Sequence, residues 1–140
     1  MLLKCHNYYQ VKITRHLLGH NLFKIVAFFW TLLIIYLCLK DVSSLPKISI
    51  KNIDKIIHFV FYFVFVFLWI KGMKSTSIYY FFIVVVLAIF LGIGIEFLQK
   101  YCTPKRTFDW YDIVANSLGA ISSFFLVKNY FEIQNKNISQ

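Results

Sequence analysis

Four long apolar runs decide what this chain can become. They are Leu22–Leu39, Ile56–Ile70, Ile78–Ile95 and Ile113–Val127. A membrane-crossing helix needs about 20 residues, within a range of about 17–25. Two of the runs fall short of that, and they span only if flanking polar residues sit in the interface or the bilayer thins. Phe59–Trp69 and Ile83–Leu91 lack the alternation of apolar and polar residues that a membrane β-barrel strand shows. In lipid, a lone segment satisfies its backbone hydrogen bonds as a helix. The expected fold is therefore all-α: a polytopic membrane protein built as a four-helix transmembrane bundle.

Composition closes the alternatives. Of 140 residues, 59% are hydrophobic and 15% charged, against about 45–50% and about 25% in soluble domains. So small a soluble fold leaves too much surface exposed to hide that apolar excess. A soluble enzyme, a disordered tail and a secreted disulfide scaffold are excluded. Cys5, Cys38 and Cys102 form no CxxC pair and no Cys/His metal spacing, and read as free thiols. The net charge of +9 does not point to nucleic acid. The basic residues flank the apolar runs, and Lys outnumbers Arg thirteen to two, which suits lipid head groups better than bidentate phosphate recognition.

Three regions follow: a basic head over 1–21, a membrane domain over 22–127, and a polar tail over 128–140. The Asn/Gln-rich tail is expected to fray. The first apolar run exceeds a signal-peptide core of about 7–15 residues and reads as an uncleaved anchor. Lys71–Ser77, with Gly72, makes a short helical hairpin. Lys40–Lys55, with Pro46, and Gln99–Tyr111, with Pro104 and Lys105, are longer connections. Lys and Arg divide eight to seven between the two faces, so orientation rests on the head and first helix, with Lys4, Lys12, Arg15 and Lys24. Both termini are placed in the cytoplasm, and the membrane is expected to be the bacterial cytoplasmic membrane.

Alternating helix direction brings three segments to one membrane face. The second run opens with Asp54, Lys55 and His58; the third closes with Glu96, Gln99 and Lys100; the fourth opens with Asp109, Asp112 and Asn116, preceded by Arg106. Asp54 and His58 are four residues apart with Tyr62 one turn on, Glu96 and Gln99 are three apart, and Asp109, Asp112 and Asn116 keep one stripe. Gly92 and Gly119 lie on the same stripes, where they let helices approach closely. Any one of Asp54, Lys55, Glu96, Lys100 and Asp112 is most simply a residue marking a helix exit. As a set, with five of the six acids on one face, they suggest an inward-turned ligand-binding cluster. Glu96 needs a partner, for which Lys100, His58 and Arg106 are candidates. His58 and Glu96 are the candidate catalytic groups, and His58 can equally serve as a hydrogen-bonded packing residue. His58, Glu96 and Asp112 could chemically hold Zn²⁺, but no HExxH-type spacing supports a metal and none is expected, nor any other cofactor.

The pattern D-K-x-x-H-F at Asp54–Phe59, E-x-x-Q at Glu96–Gln99, and R…D-x-x-D-x-x-x-N-x-x-G from Arg106 to Gly119 resembles the VanZ-like family of small bacterial membrane proteins. The resemblance covers Asp54–Gly119, about half the chain. It implies a multi-span helical domain of the cell envelope, and its name-giving member is linked to tolerance of the glycopeptide antibiotic teicoplanin. It implies no settled reaction. Three functions stay open: binding of a cell-wall precursor, lipid head group or glycopeptide-related ligand; catalysis on a lipid-linked or anionic substrate; and assembly without a small ligand.

Overall fold

The computed structural model describes residues 2–40, 52–73, 77–102 and 108–138; side chains of 2–18, 102, 134, 135, 137 and 138 lie outside that description. Four helices follow in order: α1 (Leu2–Leu39), α2 (Ile53–Gly72), α3 (Ile78–Cys102) and α4 (Trp110–Ile138). No strand occurs among the described residues. Each helix holds a stretch long and apolar enough to cross a bilayer: Gly19–Leu39, Ile53–Gly72, Ile78–Tyr101 and Trp110–Ile133. The chain is a four-helix polytopic membrane protein.

The two short runs reach spanning length by drawing in their flanks. The second gains Ile53–Lys55 and Lys71–Gly72, giving 20 residues, or about 30 Å of helix, the thickness of the hydrocarbon core. Asn52 leads into α2 in the left-handed region (φ 66°, ψ 13°), which Asn tolerates better than most side chains. α1 reaches back through the polar head to Leu2, since no proline interrupts that segment. α4 does not stop at the expected tail; it continues to Ile138. Phe131 packs on Phe81 of α3 with ring centroids 5.5 Å apart, and Lys128 pairs with Glu132 one turn on at 3.7 Å.

The core runs along the bundle axis through Ile34, Tyr62, Val66, Ile70, Phe81, Ala88, Ala120 and Val127. Large apolar side chains such as Phe29, Phe82, Phe90 and Leu118 face outward, as lipid permits. The α2–α4 interface is the most extensive. At Gly119 a Cβ would collide with the backbone carbonyl of Phe59, and at Gly72 with Lys24. These glycines bring backbones to a distance that no other residue allows. Polar links hold α1 to α2: Trp30 Nε1 donates to the Phe61 carbonyl at 3.0 Å, and Trp69 Nε1 donates to Thr31 Oγ1 at 3.2 Å. Cys38 is buried and forms no disulfide among the described residues.

Candidate functional site

The N-terminus of α2, the C-terminus of α3 and the N-terminus of α4 meet at one end of the bundle. α1 joins them there, because Gln99 Nε2 donates to the Cys38 carbonyl at 2.8 Å. His58, Glu96, Gln99, Asp112 and Asn116 are each at most 4% exposed. Burial to that degree costs a polar side chain several kcal/mol unless it is paired (roughly), so the pairing decides what the site is.

Lys55 is the hub. Its ammonium lies 2.5 Å from Asp109 Oδ2, 2.8 Å from Asp112 Oδ1 and 3.5 Å from Asp54 Oδ2. One cation thus ties α2 to the start of α4 through Asp109 and Asp112, with Asp54 of its own helix beside it. Lys55 keeps 29% side-chain exposure and, with Asn52 and Tyr111, borders an open pocket of about 280 Å³.

His58 lies on the same face of α2, one turn deeper than Asp54. Its Nδ1 is 3.1 Å from Asn116 Oδ1 on α4. An amide oxygen only accepts, so Nδ1 carries the proton and donates. Nε2 faces Asp54 Oδ1 at 3.8 Å and Asp112 Oδ2 at 3.7 Å. Asp54 and Asp112 therefore split their oxygens, one toward Lys55 and the other toward His58. Behind them, a Cβ at Gly92 would press on Asn116 and Tyr62, so this glycine lets α3 close against the pair.

Glu96 finds a partner the sequence did not offer. Its Oε1 accepts the backbone N–H of Asp109 at 2.6 Å. Of the three expected partners, Lys100 is exposed and lies over its neighbour Tyr101, and Arg106 lies outside the described residues. Asp109 in turn caps α4: its Oδ1 accepts the N–H of Tyr111 at 2.9 Å. The Lys55 hydrogen bond, reinforced by that cap, holds the Asp109 carboxyl below its ordinary value.

The structure thus gathers Asp54, Lys55, His58, Asp109, Asp112 and Asn116 directly, with Glu96 joined through the Asp109 amide. Gln99 sits at the same end but turns to α1. The set able to approach a metal is Asp54, His58 and Asp112, whose donor atoms all lie within 4.8 Å of one another; Glu96, the third donor considered from sequence, is not in it. Asn52 was not singled out from sequence, because nothing in its type marks a pocket wall.

A family model described as VanZ/LLP1 matches residues 4–131, well beyond the segment that carries the motifs. An uncharacterized protein of Schizosaccharomyces pombe is 37% identical over 108 residues, covering 74% of this chain and 62% of that protein. The chain therefore spans less than two thirds of that relative's length. No solved structure matches. With the matched stretch taking in all four helices and every residue of the cluster, the chain belongs to the VanZ-like family.

Proposed function

We propose that this protein binds the anionic head group of a lipid-linked ligand at the membrane surface and acts on it as an enzyme. The observation that carries this reading is the burial of Glu96, Asp112 and His58 beside a lysine that borders an open pocket. A bundle that needed only cohesion gains as much from apolar contacts, since buried ion pairs rarely outperform them. Ionisable groups kept at such cost in a membrane domain mark sites of chemistry. Lys55 supplies a positive charge for an anionic group entering the pocket. His58 and Glu96 supply acid–base capacity, and Asn116 fixes the His58 ring.

A cell-wall precursor is one ligand of this class, and its binding would account for a link to glycopeptide tolerance. We place the protein in the cytoplasmic membrane with both termini in the cytoplasm and the cluster on the outer face, on the strength of the basic head.

The test uses the full chain in lipid nanodiscs, offered lipids with neutral, phosphate and diphosphate-linked sugar head groups. Turnover of the charged lipids, reduced about 10²-fold or more in His58→Gln and Glu96→Gln at unchanged helicity, supports the reading. Absence of binding and turnover, with a stable protein partner and tolerance of both substitutions, replaces it with an assembly role.

A further inference from the structure

We infer that Asp54, His58 and Asp112 form a binding site for one divalent cation of the zinc or manganese class. The inference concerns the same site as the proposed reaction and deepens that reading by naming its cofactor, but it stands on donor geometry alone.

The first support is the state of His58. With Nδ1 donating to Asn116, Nε2 is left to face two carboxylate oxygens at 3.7 and 3.8 Å. A proton on Nε2 would find no acceptor within hydrogen-bond reach among the described residues, because both oxygens lie too far. A bare lone pair there would face two anionic oxygens in a site that is 3% exposed. An imidazolium there would pair with both carboxylates at ion-pair distance; a metal cation between the three atoms supplies the same positive charge and also takes up the Nε2 lone pair. A metal-bound histidine characteristically donates its other ring N–H to an oxygen acceptor, which is what Asn116 supplies.

The second support is size. With Nε2 3.8 and 3.7 Å from the two oxygens and all three atoms within 4.8 Å of one another, a point equidistant from them lies at most about 2.4 Å from each, close to the 2.0–2.2 Å of zinc–nitrogen and zinc–carboxylate bonds. The contraction needed is a few tenths of an ångström. One imidazole and two carboxylates suit zinc or manganese better than the all-oxygen shells of calcium.

The third support is charge. Asp54, Asp109 and Asp112 gather three carboxylates around the ammonium of Lys55. Lys55 lies against Asp54 Oδ2 and Asp112 Oδ1, and the other oxygen of each carboxylate faces His58 Nε2. A divalent ion there would be held by this group of carboxylates together with the imidazole. With three protein donors it keeps coordination positions open for a ligand. His58 is then a metal ligand, and Glu96 remains the acid–base group.

Full-length protein, stripped with a chelator and returned to nanodiscs, is titrated with Zn²⁺ and Mn²⁺ in the absence of any lipid substrate. The expected result is one stoichiometric ion per chain. Asn116→Ala, which frees the ring, weakens it by about 10–100-fold. His58→Ala removes it, and Lys71→Ala at the far end of the bundle leaves it intact. Pulsed EPR of the Mn²⁺-loaded wild type is expected to show nitrogen coupling from one imidazole, which makes the assignment independent of how well the variants fold. Lack of stoichiometric binding of either ion, or bound Mn²⁺ without imidazole coupling, overturns the inference. Because no substrate is present, a failure here leaves the proposed reaction standing, and a failure of turnover leaves the ion site standing.

Discussion

The backbone N–H of Asp109 donates to Glu96 Oε1 at 2.6 Å, so the last acid of α3 holds the first turn of α4 in place. Glu96→Gln keeps a carbonyl oxygen for that bond and removes the charge. Its melting temperature in detergent is expected to stay near that of the wild type while turnover falls. Glu96→Ala strands a buried N–H and is expected to cost about 1–3 kcal/mol as well. Equal destabilisation by both substitutions would show that the charge, rather than the hydrogen bond, holds the helices.

Gly119 has no room for a side chain, because a Cβ there meets the Phe59 carbonyl, whereas Gly94 has nothing within 4 Å. Gly119→Ala is expected to push α4 from α2, separate Asn116 from His58 and destabilise the fold by about 1–3 kcal/mol. Gly94→Ala is expected to be neutral or to stabilise by up to about 1 kcal/mol through helix propensity. Thermal unfolding of the two variants side by side reads the contrast.

Lys55→Met removes a cation shared by Asp54, Asp109 and Asp112. Breaking a fully buried pair costs about 3–5 kcal/mol; with 29% of the Lys55 side chain exposed, a smaller cost of about 1–3 kcal/mol is expected. Adding Asp112→Leu should recover much of the loss, since Asp112 is the most buried of the three acids. A double-mutant cycle with no recovery would place the main coupling at Asp109 instead.

The two ends of the bundle are expected on opposite sides of the membrane. Tyr111, 73% exposed beside the site, and Ser77, exposed at the other end, serve as probe positions. In a background lacking Cys5, Cys38 and Cys102, a membrane-impermeant thiol reagent applied to intact cells is expected to label Tyr111→Cys and spare Ser77→Cys. The reverse pattern moves the cluster to the cytoplasmic face and separates it from any external antibiotic.

At the far end, Lys71 lies 3.8 Å from the Tyr130 ring centroid and 5.3 Å from that of Phe131. Lys71→Ala is expected to lower stability by about 0.5–2 kcal/mol without changing turnover. A loss of activity larger than the loss of folded protein would show that the two ends are coupled.

What the sequence revealed and what it hid follow one physical division. Residues three and four apart share a helix face by covalent geometry alone, so the stripes Asp54–His58–Tyr62 and Asp112–Asn116–Gly119 were legible, and helix alternation put them at one end. Which stripe meets which atom depends on helix rotation, fixed here by glycine contacts such as Gly119 on Phe59. The pairing of Glu96 with a backbone N–H was therefore hidden, since every residue but proline carries that donor. Gln99 shares the Glu96 face yet turns to Cys38, a choice that a three-residue spacing leaves undecided. The continuation of α4 past Lys128 was hidden because its support comes from Phe81 on α3, not from the polar tail itself.

The hub at Lys55 also bears on how the protein is made. α4 is the least apolar of the four spans, and it opens with the acids that Lys55 binds. Because α2 precedes α4 in the chain, Lys55 is expected to reach the membrane before the acids of α4. The last helix is then expected to meet its counterion as it inserts, and a chain beginning at α3, which lacks Lys55, is expected to insert that segment poorly.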